Sequence, residues 1–313
     1  MPTILESLQT VADELGLTRP SAVTSSDVQT RQLLALANRD GKELMKAVDW
    51  TALQTEYIIE FGSPLETTGN VTAASAVVTS IPDTSTLSAG PFYVTGTGLQ
   101  QSTRIASVDS ATQVTLTQTV DASGTGIALK FVRDTFDIPT DFDRYIDQTQ
   151  WDRRFRWELI GPQSPQADQW QRSGIVPFGP RRKYRQVGRR PTAFRIWPPP
   201  QNDGDVPGTL VWEYISNAWV DKADGSTADA LTADDDDVIF PEGLLELGIK
   251  WRFWQIKGFE YAALQAEYID WVNREKARDG GQKPISLNRR RSRDHLIGTG
   301  HIQDGSFPDR SDL

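Results

Sequence analysis

The chain of 313 residues contains no cysteine and only two histidines. Without cysteine it can form no disulfide, no thiolate metal site and no cysteine nucleophile. The histidines, His295 and His301, both lie in the polar C-terminal stretch. Their number and position argue against a histidine-dependent catalytic triad and against a multi-histidine metal site.

Long apolar runs are also absent. The sequence has no stretch of about 18 consecutive apolar residues, so we expect no membrane-spanning helix. The first residues, MPTILESLQT, have neither a basic start nor a long apolar segment, so we expect no signal peptide. We therefore expect a soluble protein that folds without covalent cross-links.

The N-terminal part, residues 1–62, has the apolar spacing of helices. Thr3 followed by Glu6 is a capping-box pattern, and Gly16 predicts the end of the first helix. A second apolar stripe recurs at three- and four-residue steps and consists of Leu34, Ala37, Gly41, Leu44 and Val48. Gly41 on this stripe predicts a close approach by another helix backbone.

Residues 241–280 have the helical pattern at the other end of the chain. Pro241 suits the first helical position, and Gly280 and Gly281 suit the end. The apolar stripe between them comprises Leu244, Leu247, Trp251, Trp254, Gly258, Tyr261, Gln265, Tyr268 and Val272. We therefore expect one long C-terminal helix that completes an antiparallel helical bundle with the N-terminal helices.

The two stretches between the helical ends have the alternation of β-strands. Residues 63–132 are rich in Thr, Ser, Val and Gly and contain runs such as FYVTG and QVTLTQ, which predicts a small inserted all-β domain. We expect residues 64–68 to be its linker. Residues 133–240 contain further strand-like runs, and Pro198, Pro199 and Pro200 mark a sheet edge or a loop. The predicted fold class is α+β.

Charge is unevenly placed along the chain, whose formal total is −9. Residues 151–195 carry eleven Lys or Arg against three acids, whereas residues 203–246 carry twelve acids against Lys222 alone. Three explanations fit this pattern: two solvated faces, a nucleic-acid groove, or a head-to-tail contact between the basic and acidic faces of successive copies. Repetition of the third contact makes a ring when the rotation closes.

The head-to-tail explanation assigns residues to a subunit interface. Charge pairs would set its register, and buried tryptophans would stabilise it. The basic side comprises Trp151, Arg153, Arg154, Arg156, Trp157 and Trp170, and the acidic side comprises Asp234, Asp235, Asp236 and Asp237. The same segment, with its arginines and tryptophans, would also suit stacking on single-stranded nucleic acid, which is the alternative.

The acidic run at 234–237 also raises the hypothesis of a metal site. Calcium loops alternate their ligands and need a turn glycine and a distal glutamate, and LTADDDDVIFPEG lacks that spacing. No pair among the 42 acidic residues is singled out for glycoside hydrolysis, and no phosphate-cradling glycine loop occurs. We therefore predict no catalytic, metal or cofactor site. For the acidic run we favour a structural role, as favourable charge beside a helix N-terminus or as a partner for an arginine.

Four stretches of the chain resemble the head-to-tail adaptor proteins of tailed bacteriophages, a group similar to the tail tubular A proteins of short-tailed phages. They are RQLLALANRDGKELMKAVDWTALQTEY, DIPTDFDRYIDQTQWDRRFRWELIGPQSPQADQW, LVWEYISNAWV and DDDVIFPEGLLELGIKWRFWQIKGFEYAALQAEY. The most specific parts are the Leu-Ala-Asn-Arg helix that ends at Asp49 and Trp50, the turn at 139–143 and the block at 151–162.

The resemblance implies a structural virion protein in the neck between capsid and tail, present in the host cytoplasm during assembly. It implies a ring of about twelve copies that docks under the portal protein. The ring would carry a downstream tail, nozzle or stopper protein and would let genomic DNA pass without sequence-specific contacts. The inserted β-domain departs from the plainest members, and a cell-wall hydrolase is a minor alternative.

The C-terminal stretch, residues 281–313, has few large apolar residues and a cluster of arginines. We expect an extended tail that becomes ordered when it binds a partner. The alternative is a solvated tail with no binding role. In the resembling family the C-terminal segment helps to hold the portal. The resemblance therefore suggests a portal-binding role for Leu287, Arg289, Arg290, Arg291, Arg293, Leu296, Ile297 and Phe307.

Overall fold

The computed structural model describes residues 3–173, 181–188, 192–200, 208–241 and 243–279. Its helices and antiparallel sheets confirm the α+β class. The helices are α1 (Ile4–Leu15), α2 (Val28–Ala47), α3 (Pro165–Ser173), α4 (Leu244–Lys257) and α5 (Ala262–Asp279). Within the described ranges, no helix has the length and apolar character needed to cross a membrane.

Helix α1 begins and ends where the sequence predicts. The Glu6 backbone N–H donates to Thr3 Oγ1 at 3.4 Å, and the Thr3 N–H donates to Glu6 Oε2 at 3.1 Å, which completes the capping box. Gly16 ends the helix in the left-handed conformation with φ of 67°. The buried stripe of α1 comprises Ile4, Leu8, Val11 and Ala12.

The C-terminal helical segment is two helices, so the prediction of one long helix over 241–280 is wrong. Gly258 has φ of 77°, and the next N–H, of Phe259, donates to the Trp254 carbonyl at 2.9 Å. This is a Schellman-type end, supported by the Trp254–Phe259 ring contact at 6.2 Å between centroids. Helix α4 also begins at Leu244, after Gly243, and Pro241 precedes it.

The α4–α5 pair folds back on itself and joins the N-terminal helices in one core. Trp251 of α4 contacts the rings of Tyr261 and Tyr268, with centroids 6.4 and 6.0 Å apart. Buried residues of α1, α2, α4 and α5 belong to a single hydrophobic cluster. The two ends of the chain therefore share a core, while the antiparallel order of the predicted bundle stays a prediction.

Gly41 has a different partner from the expected one. A Cβ at Gly41 would lie 2.2 Å from the indole of Trp219, so the glycine makes room for this side chain and not for a helix backbone. The close helix approach occurs instead at Gly248 of α4, where a Cβ would lie 2.0 Å from the Asp40 carboxylate of α2.

The inserted domain is a six-stranded antiparallel sheet in the order β4-β7-β2-β3-β6-β5. Its strands are β2 (Leu65–Val71), β3 (Val77–Thr79), β4 (Phe92–Gly96), β5 (Ile105–Ser110), β6 (Gln113–Leu116) and β7 (Gly124–Arg133). The Val94 N–H donates to the Thr103 carbonyl at 2.9 Å and Tyr93 bridges Arg104, so the first and last strands meet and the sheet closes into a barrel. Most of the expected linker at 64–68 is part of β2, paired with β7.

A buried ion pair attaches this barrel to the neighbouring β region. Arg104 pairs with the fully buried Asp134 and donates to the Gly90 carbonyl at 2.9 Å. Tyr93 of the barrel meets Trp197 edge to face, with ring centroids 5.0 Å apart.

Residues 133–240 form mainly two packed sheets, and residues 54–61, which were expected to belong to the N-terminal helices, add strand β1 (Gln54–Phe61) to one of them. The five-stranded sheet has the order β1-β14-β10-β11 with β9 also on β14, and the three-stranded sheet has the order β12-β13-β8. Their strands are β1 (Gln54–Phe61), β8 (Thr135–Asp137), β9 (Phe142–Tyr145), β10 (Trp151–Asp152), β11 (Trp157–Glu158), β12 (Lys183–Val187), β13 (Ala193–Trp197) and β14 (Gly208–Ser216). Phe194 and Trp212, with ring centroids 4.3 Å apart, lie in the core between the sheets.

Two further elements complete the region. A small sheet is formed by β15 (Val220–Asp221), β16 (Thr227–Ala228) and β17 (Asp237–Val238), and Val220 belongs to the helical core. Helix α3 interrupts the expected β pattern. Its signal is Ser164 before Pro165: the Ser164 hydroxyl accepts from the Ala167 N–H at 3.2 Å.

Candidate functional site

The basic segment forms a short hairpin whose loop is fixed by one carboxylate. β10 and β11 pair Trp151 with Glu158 and Asp152 with Trp157. In the loop between them, Asp152 Oδ1 accepts the N–H groups of Arg154 at 3.0 Å and Phe155 at 3.1 Å. Arg156 completes the turn in the left-handed conformation, with φ of 56°. The Asp152 carboxylate therefore fixes the backbone of the loop that carries Phe155.

Arginines of the basic segment form ion pairs with acids of their own chain. Arg182 pairs with Asp152, and Arg185 pairs with Asp168 of α3 at 3.0 Å. Both carboxylates are nearly buried. The Arg182–Asp152 pair joins the hairpin to the residue before Lys183, and the Arg185–Asp168 pair joins α3 to the strand that begins at Lys183.

The three arginines predicted for the interface lie around the hairpin loop. Arg153 is half-exposed and pairs with Glu56 of β1. The Arg154 guanidinium lies over the Phe155 ring, 5.7 Å from its centroid, and the side chain of Arg156 is exposed. The Arg153–Glu56 pair therefore neutralises part of the positive charge of residues 151–195.

Exposed aromatic side chains are the most unusual feature of this surface. Phe155 is 49% exposed, Trp157 39% and Trp170, on α3, 70%. Phe155 and Trp157 line an open cavity of about 270 Å³, together with Arg182 and Pro198. Arg181 covers the Trp157 ring at 5.4 Å. We call Phe155, Trp157 and their cavity the aromatic cavity. Large exposed aromatics of this kind mark surfaces that contact partners.

The acidic run is largely a structural loop. Asp234 accepts the Val23 N–H at 2.5 Å, and the buried Asp236 accepts the N–H groups of Thr232 at 2.6 Å and Ala233 at 2.9 Å. The Asp236 carbonyl accepts the first N–H of α1, from Ile4, at 2.8 Å.

The remaining two acids differ in exposure. Asp237 is half-buried and accepts the Val238 N–H at 2.7 Å, whereas Asp235 is exposed. The loop places its negative charge beside the N-terminus of α1, where it is favourable. Asp235 is therefore the most accessible member of the run.

The predicted portal-binding residues lie outside the described residues. Leu287, Arg289, Arg290, Arg291, Arg293, Leu296, Ile297 and Phe307 follow Asp279, the last described residue. Their role stays a prediction.

A buried charged cluster in the helical core was missed from the sequence. Asp40 of α2 is fully buried and pairs with Arg252 of α4, which is only 2% exposed. Arg252 Nη2 also donates to Glu43 Oε2 at 2.7 Å, and the Tyr268 hydroxyl donates to Asp40 Oδ1 at 2.7 Å. The Arg252 guanidinium lies 4.3 Å from the centroid of the Trp251 ring. The cluster joins α2, α4 and α5.

The electrostatics of this cluster follow from its burial. Burial raises the pKa of Asp40 to about 7, while the charge of Arg252 and the hydrogen bond from Tyr268 oppose the rise. The signal in the sequence was Asp40 on the same helical face as Leu36, Ala37 and Leu44, a charged residue in an apolar stripe. Its full burial favours a structural role in fixing how the helices pack.

Comparison with known proteins identifies a family. The model of the family described as SU10 adaptor protein matches residues 3–282. The match includes both helical ends, the barrel and the sheets between them. Among curated proteins, none matches the chain.

Proposed function

The chain belongs to the SU10 adaptor protein family, and we propose that it works as a ring-forming head-to-tail adaptor. The family is one of phage adaptor proteins, which supports a structural, non-enzymatic role in the virion and contacts with portal and tail proteins. The family match over nearly the whole chain is the observation that carries the proposal. The ring of about twelve copies, its position under the portal and the passage of DNA through it are the finer parts of the proposal.

The aromatic cavity and Trp170 support a contact between copies. A buried aromatic anchor in a pocket supplies most of the free energy of a typical interface. We propose that Phe155, Trp157 and Trp170 are such anchors, and that Arg154 and Arg156 lie at the rim with Asp235 of the next copy. Rim charges set register and association rate more than affinity.

The aromatic part of this proposal is tested by the double variant Trp157→Ala and Trp170→Ala. Because both side chains are exposed in the subunit, the variant should fold normally and lose at least about tenfold in its assembly constant. Native mass measurement with and without a purified portal ring gives the readout. Phe259→Ala is the matched control, since Phe259 is an aromatic side chain 59% exposed at the α4–α5 turn. Equal assembly of the double variant and the control would reject the aromatic contact.

The charged part is tested by reversing Arg153, Arg154 and Arg156 to Glu. The half-exposed Arg153–Glu56 pair contributes at most about 1 kcal/mol to stability. Circular dichroism of the triple variant checks that the subunit stays folded. Assembly should weaken, and assembly of the unmodified chain should weaken with added salt, because exposed charges are screened over about 8 Å at physiological ionic strength. Normal ring formation by the folded triple variant would show that these arginines do not face a neighbouring copy.

A further inference from the structure

Strand β1 lies at an open edge of the five-stranded sheet. Its residues, Gln54–Phe61, pair with β14 along their full length. Among the described residues, no strand pairs with the other side of β1. Alternate backbone N–H and C=O groups of β1 therefore face away from the sheet, an arrangement that accepts an added strand. An uncovered edge of this length would favour unwanted pairing between copies.

The side chains along this edge have a distinct pattern. Gln54, Glu56, Ile58 and Glu60 alternate on the exposed face of β1, and Ile58 is 45% exposed. Glu56 pairs with Arg153, whereas no ion pair to Glu60 is found within the described part of the chain. The edge thus presents an apolar side chain between two acidic ones, and suits a strand with an apolar residue next to arginine.

The chain leaves the described structure beside the beginning of this edge. The Thr51 N–H donates to Asp279 Oδ2 at 2.7 Å, and the Thr51 hydroxyl donates to the Asp279 carbonyl at 3.2 Å. The short turn Thr51–Leu53 leads directly into β1. The tail that follows Asp279 therefore starts next to the N-terminal end of β1.

The tail contains apolar residues followed by arginines, and this segment lies far enough along the chain to reach Ile58 and Glu60. Residues 285–293 read ISLNRRRSR, so an extended strand would place Ile285, Leu287, Arg289, Arg291 and Arg293 on one side. A strand that runs alongside β1 in the same direction advances at the same rate, about 3.3 Å per residue. Leu287 is eight residues after Asp279, whereas Ile58 is seven after Thr51, and the first of those seven lie in the tighter turn Thr51–Leu53. The tail is therefore long enough to bring Leu287 level with Ile58. Arg289 then comes beside Glu60.

We propose that residues 285–293 of the same chain add to β1 as a parallel edge strand, with Leu287 beside Ile58 and Arg289 beside Glu60. The docked strand covers the open edge in the free subunit. The proposal does not depend on the adaptor role, because it concerns the subunit without a portal.

The absence of cysteine makes this docking directly testable in the full-length chain. The double variant Ile58→Cys with Leu287→Cys should form an intramolecular disulfide under mild oxidation, seen as a faster-migrating monomer on a non-reducing gel and as a linked peptide pair by mass spectrometry. The matched control is Val108→Cys with Leu287→Cys, since Val108 is 37% exposed on the barrel. We expect about tenfold more cross-link in the first variant, because docking raises the effective concentration of the two thiols.

Two outcomes of the cross-linking would overturn the proposal. Equal yields in the two variants would show that the tail does not dock on β1. A disulfide-linked dimer in place of the cross-linked monomer would show that the edge takes the tail of another copy.

A charge exchange tests the register. In the cysteine pair background, Glu60→Arg should lower the yield about two- to threefold, the effect of an exposed ion pair. Adding Arg289→Glu should restore it. A yield that stays low with both charges exchanged would rule out the proposed pairing of these two residues.

Discussion

Removal of the Arg252 charge should strongly destabilise the helical core. Arg252→Met keeps an apolar stem of similar length and removes the guanidinium that pairs with Asp40 and Glu43. Glu43 is half-exposed and can return to water, but Asp40 is fully buried and keeps only the hydrogen bond from Tyr268. A buried charge that loses its partner costs about 3–5 kcal/mol, a large part of the stability of a typical domain.

The assay is urea unfolding followed by circular dichroism of the helices. The control is Arg39→Met, because Arg39 pairs with the same Glu43, at 2.9 Å, but is exposed. We expect the control to lose no more than about 0.5 kcal/mol. Adding Asp40→Asn to Arg252→Met should recover part of the loss, since a neutral amide leaves no unpaired charge.

The loss should also depend on pH in a defined direction. The pKa of Asp40 is raised by burial from 3.8 in the unfolded chain to about 7, so its contribution to stability is fully present below the unfolded value and is lost as the pH rises toward the folded value. Arg252 opposes this rise, so its removal moves the pKa of Asp40 still higher. The variant should therefore be most deficient near about pH 8 and less so near about pH 5. A loss below about 1 kcal/mol at pH 8, or an equal loss at both pH values, would refute this reasoning.

Gly41→Ala should lower the melting temperature, although alanine usually favours a helix, because the new Cβ would lie 2.2 Å from Trp219. The control is Gly62→Ala, whose Cβ would have no atom within 4 Å, and equal melting temperatures of the two variants would contradict the packing. Deletion of residues 282–313 should leave helix melting unchanged and abolish stable attachment to a portal ring in co-sedimentation; undiminished attachment would show that the tail has another role. DNA binding should be weak, salt-sensitive and independent of sequence in fluorescence anisotropy, and a sequence-dependent dissociation constant below about 1 μM at physiological salt would favour the nucleic-acid alternative.

The break between α4 and α5 shows where sequence periodicity stops being informative. The apolar stripe continues in phase through Gly258 to Tyr261 and Tyr268, so the pattern predicts one helix. A glycine inside a helix costs only about 1 kcal/mol relative to alanine. Burial of the apolar side chains that continue the stripe would offset that cost, so the glycine alone does not predict a break. The structure uses the left-handed freedom of Gly258, and the same stripe then packs against itself through Trp251. Both arrangements satisfy the spacing, and only the tertiary contacts distinguish them.

For the candidate interface too, the sequence located the segment, and only the structure showed which of its side chains are exposed. The sequence located a basic, tryptophan-rich segment, and the structure places Trp157 and Trp170 at the surface. Pairing of Arg182 with Asp152 and of Arg185 with Asp168 joins residues far apart in sequence, so the segment charge alone overstated what is left for a partner. Asp234 and Asp236 are likewise engaged by backbone N–H groups of their own chain.

The sequence by itself determined the features that depend on neighbouring residues. The capping box of Thr3 and Glu6, the end at Gly16, the alternating strands of the barrel and the α+β class all follow from local hydrogen bonding and side-chain periodicity. Only the tertiary structure decided which distant groups meet: Gly41 with Trp219, Asp40 with Arg252, and Asp279 with Thr51 beside the open edge of β1. Such contacts depend on how whole elements pack, because a buried charge or a glycine is satisfied by whatever the fold brings within reach, and spacing along the chain does not encode that partner.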